Sequence, residues 1–324
     1  MCNARLKPVR SFSYLFVFGI SFLVSTCHGP VIPNQSDLTG FNRNSGVDND
    51  TSRERYRGNL SGLSIQRIEN KGSDTLVNLA LAWAEAYMQI HPEVQISVTG
   101  GGSGTGIAAM INGTVDIANT SREMKSEEIE AAQANGIEPV EFVVARDAIA
   151  VVVHPSNPVD GLTLRQISDI YTGKITNWKE VGGEDRPIVL LSRESNSGTY
   201  VYFLENVVRS GDKASDLLFS PDTLLMPSSE GISTEVRQNP NAIGYDGLGY
   251  VTADQKIIAI APQPEAAYIL PSLATVNDGT YPVARALYMY TPGKPGGAVK
   301  AYLDWILNEG QSLVLDLGFV PLKR

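Results

Sequence analysis

The chain has 324 residues, 43% of them hydrophobic and 19% charged, and a formal net charge of −9 at pH 7. This composition is typical of a globular protein and excludes a wholly disordered chain, and the length is enough for two domains. The first 60 residues hold more basic than acidic side chains, so the rest of the chain is strongly acidic. An acidic body argues against nucleic-acid binding, although one local site can still attract a small anion.

The N-terminal residues 1–27 have the pattern of a targeting segment. A basic start precedes an apolar run, 14–24, that is too short to span a bilayer comfortably. The tetrapeptide Val-Ser-Thr-Cys at 24–27 resembles a bacterial lipobox, so Cys27 is predicted to be lipidated after cleavage. An ordinary signal peptide cut nearby is the alternative. The other cysteine, Cys2, would leave with the leader, so the mature chain is expected to have no internal disulfide.

Residues 28–61 are polar and show no apolar periodicity. This stretch is rich in Asn, Ser, Asp and Arg, a composition that cannot bury enough apolar surface to fold. We interpret it as a disordered tether between the targeting segment and a globular body that begins at residue 62.

The body opens with a predicted strand, 65–69, followed by Gly72-Ser73-Asp74-Thr75 and a helix that reaches Ile90. Apolar residues recur at helical spacing along this helix and predict its buried face. His91-Pro92 ends it, because a residue before proline is disfavoured in a helix. A second strand, 93–99, follows.

The stretch 100–122 is the main candidate site. A glycine-rich loop leaves the second strand and opens a short helix that closes at Asn112-Gly113. A third strand, 115–119, then runs into Thr120-Ser121-Arg122. Backbone N–H groups at a helix start, flanked by small hydroxyls, form an anion site, and glycine lets the main chain approach the anion closely.

Three other interpretations of the glycine loop are weaker. A flexible linker does not usually lie between a strand and a helix. A nucleotide P-loop needs a lysine after its last glycine, where Ile107 stands here. Gly104, Gly106 and Ala109 fit the GxGxxA pattern of dinucleotide folds, but no clear strand-end acid follows about 20 residues on.

The middle of the chain holds a third strand–loop–helix junction. A surface helix at 126–136 precedes a long β-rich run, 139–154, which is broken by Arg146-Asp147 and could cross between two domains. A helix at 164–171 and a buried strand at 187–191 come next. The stretch 192–199 then opens another helix and carries Arg193, whose planar guanidinium suits tetrahedral oxyanions. A surface turn with a solvated arginine is the alternative.

The last quarter of the body continues the α/β alternation. We predict a helix at 229–238, a strand region at 242–251 that is a candidate second crossing, a strand at 284–290 and mostly helix at 297–317.

Five motifs together resemble the substrate-binding protein of a phosphate ABC transporter: GSDTL, the GGGSGTG-to-TVDIANTSR stretch, DAIAVVVHPSNP, LRQISDIYTGKITNW and RESNSGTYVYF. The resemblance covers most of 62–324 in order. It implies an α/β, type 2 periplasmic-binding-protein fold, in which two α/β lobes joined by two crossing strands close on an anion in the cleft. Lobe I would comprise 62–145 plus 255–324, and lobe II 146–254.

The resemblance also implies a site, a ligand and partners. Inorganic phosphate would bind without covalent chemistry, cofactor or metal, and lobe closure would signal to the permease subunits of the transporter. The protein would be a monomer in the bacterial periplasm or at the cell surface, held to the membrane through Cys27. The donors and charges assigned to phosphate are Ser73, Asp74, Thr75, Ser103, Gly104, Thr105, Ser121, Arg193, Ser197, Gly198 and Thr199, with Arg193 as the one fixed positive charge.

The sequence departs from the family at Ser121, where well-known members have an aspartate that accepts the proton of hydrogen phosphate. Such an acid rejects sulfate, which has no proton to donate at neutral pH. Asp74 is the favoured substitute acceptor, although it could be a plain helix N-cap. Glu194 and Asp116 are the other candidates, and Arg122 could form a salt bridge to one of these acids. Sulfate or another tetrahedral oxyanion therefore stays an alternative ligand.

Two other functional classes fit the sequence less well. A phosphatase needs a nucleophile with a base, or a metal cluster, and the three histidines His28, His91 and His154 show no such spacing. The sequence therefore predicts a binding protein and not an enzyme. A surface scaffold or adhesin that keeps the fold without transport is the third class.

Overall fold

The computed structural model describes residues 65–323. The predicted targeting segment with Cys27, and the predicted tether 28–61, lie outside the described residues.

Ten strands form the sheet of the body. They are β1 (Gln66–Gly72), β2 (Val94–Thr99), β3 (Ile117–Thr120), β4 (Val140–Val153), β5 (Gly161–Thr163), β6 (Val189–Arg193), β7 (Leu224–Met226), β8 (Ala242–Gly247), β9 (Lys256–Ala261) and β10 (Ala284–Thr291).

Helices alternate with these strands. They are α1 (Asp74–Ile90), α2 (Ser103–Ile111), α3 (Ser126–Ala134), α4 (Leu164–Tyr171), α5 (Gly198–Phe203), α6 (Ser229–Gln238), α7 (Leu273–Asn277), α8 (Gly297–Leu307) and α9 (Gln311–Asp316). Short 3-10 helices lie at Trp178–Val181 and Leu248–Tyr250, and a π-helical turn, Leu204–Val208, continues α5.

The helix starts follow from local sequence. Helix α1 buries its apolar stripe, including Leu76, Leu79 and Trp83, and its chain turns away at His91. The start of α4 is fixed by a capping box between Thr163 and Gln166, which satisfies two helix-start N–H groups reciprocally. The predicted bounds of α4 and α6 agree with the structure.

Strand β4 joins two halves of the sheet. It has 14 residues, and its first part, 140–148, pairs antiparallel with β10. On its other side β10 pairs with β3, β3 pairs with β1, and β1 pairs with β2. The last part of β4, 149–153, pairs with β8 and β9, and β8 continues to β6 and β7. The first crossing was therefore predicted correctly. The predicted break at Arg146-Asp147 does not interrupt the strand, because the buried Asp147 has a partner on β10.

The return of the chain to the first half differs from the prediction. Strand β8 pairs with β4 and β6 and stays in the second half, so the 242–251 region is not a crossing. The chain returns at β10, where Arg285 pairs with Asp147. The short strands β5, β7 and β9 were not predicted, because three to six residues carry little periodicity.

Four clusters of buried apolar residues pack on the sheet among the described residues, and the two largest lie on different halves. One core packs α1, α8 and α9 against β1 and β2 around Trp83, whose Nε1 donates to the carbonyl of Gly310 at 2.7 Å. The other packs α4 and α5 against β8 and includes residues of β9 and α7. Residues 256–283 thus pack with the second half of the sheet. The lobe boundaries inferred from the sequence stay a prediction.

Aromatic rings support the strand that ends at Arg193. The rings of Phe203 and Tyr245 stack with their centroids 3.6 Å apart, and the Tyr171 ring packs edge-on against both. The Tyr245 hydroxyl lies 2.5 Å from Ser192 Oγ, and the Tyr171 hydroxyl donates to the carbonyl of Leu191. These contacts fix the end of β6 and hence the direction in which Arg193 leaves it.

Candidate functional site

Three strand–loop–helix junctions converge at the carboxyl ends of β1, β2 and β6. They lead into α1, α2 and α5, the three helix starts that the sequence marked with small hydroxyls. The Gly102 amide donates to the carbonyl of Gly72 at 2.9 Å, and the Gly104 amide donates to that of Asn196 at 3.0 Å. The junctions are therefore locked to each other through their main chains.

Four hydroxyls from these junctions and from the end of β3 lie together, and we name them the hydroxyl cluster: Thr75, Ser103, Ser121 and Thr199. The Oγ1 atoms of Thr75 and Thr199 are 2.9 Å apart. The Oγ atoms of Ser103 and Ser121 are 3.3 Å apart, and the Ser121 amide donates to Ser103 Oγ. All four residues are at most 1% exposed, so these predicted donors meet in a place closed to bulk water.

Gly198 allows α5 to reach the hydroxyl cluster. A Cβ at this position would stand 2.3 Å from Ser103 Oγ and 2.6 Å from Ser121 Oγ, closer than real atoms approach. Asn196 adds a contact from the same loop, since its Nδ2 donates to the carbonyl of Gly101 at 2.9 Å. A side chain at Gly198 would therefore hold the α5 start away from Ser103 and Ser121.

Arg193 is 1% exposed and donates through all three nitrogens. Its Nη2 bonds Asp74 Oδ2 at 2.6 Å, and its Nη1 bonds Ser229 Oγ at 3.0 Å. The carbonyls of Met226 and Pro227 accept its remaining hydrogen bonds. The guanidinium is thus anchored on one side by main chain and paired on the other with a carboxylate of the α1 start.

The candidate proton acceptors lie in different places. Asp74 is at the junctions, where its Oδ1 also accepts from the Gly101 amide at 3.0 Å. Glu194 is exposed. Asp116 precedes β3 and accepts from the Glu69 amide, at the end of that strand opposite to Ser121.

The sequence allows a salt bridge between Arg122 and one of these acids, but in the structure Arg122 pairs with none of them. Its Nη1 and Nη2 each donate to one oxygen of Glu128 on α3 at 2.7 Å. This forked pairing and a further bond from Nη1 to the Glu123 carbonyl hold the guanidinium against α3, while no partner is found for its Nε within the described residues.

Two other predicted residues, Ser197 and Thr105, use their side chains within their own loops. Ser197 caps α5 and accepts from the Thr199 and Tyr200 amides. Thr105 Oγ1 donates to the carbonyl of Gly101 at 2.6 Å, and the Gly104 amide bonds Asn196 as described above. Ser73 is buried at the N-cap of α1 but makes no side-chain cap bond.

A second buried guanidinium, Arg285, was missed by the sequence analysis. It bonds Asp147 Oδ2 through both Nε (3.1 Å) and Nη2 (2.8 Å), and it reaches the hydroxyls of Thr75 and Thr199. Arg193 is therefore not the one fixed positive charge of the site. A signal was present, because β10 is an apolar strand with one charged residue, Arg285, and the run 139–154 carries an acid, Asp147, next to its most apolar part.

Asp246 lies behind Arg193 and is fully enclosed. Its Oδ1 accepts from Ser229 Oγ at 2.8 Å and from the Gly247 amide, while no hydrogen-bond partner is found for Oδ2 within the described residues. Burial raises the pKa of Asp246 from 3.8 to about 6, against the opposing effects of the Arg193 charge and the two hydrogen bonds.

This arrangement suits the binding of an oxyanion. Hydroxyls, helix-start amides and guanidiniums are hydrogen-bond donors for anionic oxygens, and they are strongest in a place that excludes water. The two described histidines make local contacts instead, His91 with Glu93 and His154 with Ser156. Within residues 65–323, no three His, Cys, Asp or Glu side chains are grouped to hold a metal ion.

Comparison with known proteins identifies the family. A model of the PBP superfamily domain matches residues 55–309. A phosphate-binding protein PstS of Pseudomonas aeruginosa is 36% identical over 280 residues, which cover 81% of this chain and 84% of that protein. The Bacillus subtilis protein of the same name is 31% identical over 285 residues, which cover 87% of this chain and 87% of that protein. The chain belongs to the PstS family of the PBP superfamily.

Solved structures agree with this membership. A putative phosphate ABC transporter substrate-binding protein from Clostridium perfringens, crystallised with bound phosphate, is 35% identical, with a TM-score of 0.71, and covers 80% of this chain and all of its own. A phosphate transport receptor from Vibrio cholerae gives 29% identity and a TM-score of 0.64, with 79% and 100% coverage. The family resemblance and the type 2 fold inferred from the motifs are confirmed. Between residues 65 and 323, no helix has both the length and the apolar character needed to cross a bilayer.

The raised pKa of Asp246 predicts a pH dependence of stability. Between about pH 4 and 6 the native state keeps a proton that the unfolded state releases, so the contribution of Asp246 to stability falls as the pH rises through this window. We expect the free energy of unfolding, from urea titration, to fall by up to about 3 kcal/mol more across the window in the wild type than in Asp246→Asn.

The Asp246→Asn comparison controls for other carboxylates. Burial raises the pKa of Glu128, but the hydrogen bonds from Arg122 and the Lys125 amide lower it overall, so Glu128 has the opposite pH slope. That slope is shared by both proteins and cancels in the difference. Identical pH slopes for the wild type and Asp246→Asn would contradict the assignment.

Proposed function

We propose that this protein binds inorganic phosphate outside the cytoplasm and delivers it to the permease of an ABC transporter. The observation that carries the proposal is the buried hydroxyl cluster, where three helix starts meet and Arg285 donates to two hydroxyls. Arg193 lies beside it, paired with Asp74 at the α1 start. The names of the PstS relatives and the phosphate-bound Clostridium perfringens structure support this ligand. The same relatives are named as binding proteins, which supports a function without catalysis.

Phosphate would be held by hydrogen bonds alone. The residues that we assign to it are those that the resemblance implied: Ser73, Asp74, Thr75, Ser103, Gly104, Thr105, Ser121, Arg193, Ser197, Gly198 and Thr199. The helix starts of α1, α2 and α5 would present amide groups and the positive ends of their dipoles to the anion. Affinity would come from donors that the fold has already oriented, so little ordering is left for the moment of binding.

Asp74 would provide selectivity for a protonated anion. Ser121 is neutral and can donate to any oxyanion, so it cannot distinguish phosphate from sulfate. The Asp74 carboxylate accepts one hydrogen bond on each oxygen, from Gly101 and from Arg193. Each oxygen has a further lone pair, so Asp74 can accept the proton of hydrogen phosphate and repel a fully deprotonated sulfate.

Two lobes on either side of β4 would close on the anion. We propose that the first lobe holds β1, β2, β3 and β10, and that the second holds β5 to β9. This proposal moves residues 256–283 from lobe I, where the sequence analysis placed them, to lobe II, because they pack with it. Hinge closure of this kind gives a permease a shape that differs between the bound and the free state. We further propose a monomer, anchored through a lipid on Cys27 in the periplasm or at the cell surface.

The first prediction concerns the ligand. In titration calorimetry of the purified protein, stripped of bound anion, at two pH values near neutrality, we expect phosphate to bind with a Kd of about 1 µM or lower. A large excess of sulfate should not compete. Equal or tighter sulfate binding would mean that Ser121 has changed the ligand. Binding of neither anion would contradict transport and favour a surface scaffold.

The second prediction concerns the proton acceptor. In Asp74→Asn, we expect the ratio of phosphate to sulfate affinity to fall by about tenfold or more, because the repelling carboxylate is gone. The ratio separates this effect from any general gain in anion affinity when Arg193 loses its partner. Asp116→Asn, at the far end of β3, is the matched control and should keep the ratio. An unchanged ratio in Asp74→Asn would remove Asp74 from this role.

The third prediction concerns the anchor. We expect the wild type to partition with membranes and into a detergent phase, because an acyl chain on Cys27 and its modified N-terminus bury apolar surface in the bilayer. Cys27→Ser should move to the aqueous phase, and Cys2→Ser should behave like the wild type. A wild type that is already aqueous would favour the ordinary signal peptide.

A further inference from the structure

Arg285 lies at the junction of the two halves of the sheet. It pairs in register with Asp147 on β4, two residues before β4 exchanges its partner β10 for β8 at Ile149. Asp147 Oδ1 also accepts from the Leu248 amide, just after β8, at 3.2 Å. This ion pair therefore connects β4, β10 and the end of β8. The side chains of both partners are buried, since neither residue is more than 5% exposed.

The same guanidinium reaches both sides of the hydroxyl cluster. Its Nη1 donates to the carbonyl of Ser121 at 3.1 Å. Its Nη2 donates to Thr75 Oγ1 at 3.3 Å and to Thr199 Oγ1 at 3.0 Å. Thr75 lies in the first turn of α1 in the first half and Thr199 in the first turn of α5 in the second, so the Arg285 side chain at the junction bonds a hydroxyl from each half.

These bonds determine where the hydroxyl protons point. A threonine hydroxyl has one proton and two lone pairs, and a guanidinium can only donate. Nη2 carries two hydrogens, and Asp147 Oδ2 accepts one of them, so Thr75 and Thr199 accept the other together in a three-centre bond. One hydroxyl proton is used in the bond between Thr75 and Thr199. The other proton is left to donate to a third group. Asp147 balances the charge of Arg285, so Arg285 orders donors more than it adds net attraction.

We propose that Arg285 is a positioning residue for phosphate, which acts through Thr75 and Thr199. Its hydrogen bonds orient the two hydroxyls as an ordered pair of donors. Because the two hydroxyls come from different halves of the sheet, their approach makes closure of the halves part of phosphate binding. The inference rests on the proposed function. A lysine cannot replace it, because its single nitrogen cannot serve Asp147 and both threonines in the geometry of the guanidinium fork.

The experiment compares Arg285→Lys with Arg122→Lys. Arg122 is the matched control: it is 8% exposed, pairs in a fork with Glu128 and makes no hydrogen bond to the hydroxyl cluster. We expect Arg285→Lys to weaken phosphate binding by about tenfold or more, mainly through faster dissociation. Arg122→Lys should stay within about threefold of the wild type. Both should lower the melting temperature of the anion-free protein similarly.

A double-mutant cycle separates positioning from a general structural role. If Arg285 acts through Thr199, the loss caused by Arg285→Lys should shrink markedly in a Thr199→Val background. Additive losses, or an Arg285→Lys protein within about threefold of the wild type, would overturn the proposal. If Arg285→Lys does not fold, Asp147→Asn with Arg285→Gln removes both buried charges at once. This variant should show the same loss, and full phosphate affinity in it would equally overturn the proposal.

The two hypotheses fail in different ways. Absence of phosphate binding by the wild type would contradict the proposed function itself. Wild-type binding together with an unaffected Arg285→Lys variant would leave the function in place and remove only the role of Arg285.

Discussion

The buried ion pair between Asp147 and Arg285 is the constraint on which the centre of the molecule depends. A charge taken out of water is very costly unless it is paired and hydrogen-bonded, so each partner requires the other. Because Asp147 lies on β4 and Arg285 on β10, the requirement fixes the register of the strands that join the two halves of the sheet. Arg285 also donates to Thr75 and Thr199, so the pairing of these strands also sets the geometry of the site.

Close approach of main chains is the second constraint, and glycine makes it possible. The amides of Gly102 and Gly104 donate hydrogen bonds to carbonyls of the neighbouring loops. Gly198 lies where any side chain would clash with Ser103 and Ser121. Each helix start alone is a weak anion site. Three starts brought within hydrogen-bond distance of one another form a closed place, where each donor is worth more than it is in water.

The local parts of the site could be predicted from sequence, and the long-range pairing could not. Hydroxyls at helix starts, the glycine loop and Arg193 are encoded in short stretches, and the structure brings the hydroxyl cluster together as expected. Arg285 and Asp147 are 138 positions apart and meet only because two strands pair antiparallel. For the same reason the second crossing was placed at 242–251 and not at β10, since tyrosines and glycines in a strand do not show which strand it pairs with.

The balance of charges explains how an acidic protein can hold an anion. Arg193 is paired with Asp74 and Arg285 with Asp147, so neither guanidinium offers an uncompensated charge. A site of this kind cannot attract anions through net charge, and its affinity must come from oriented donors in a dry enclosure. Such a site distinguishes one anion from another by which of the anion's oxygens carry a proton, more than by the total charge of the anion. Selectivity between phosphate and sulfate would then depend on one accepting group among many donors, which is the role that we propose for Asp74 beside Arg193.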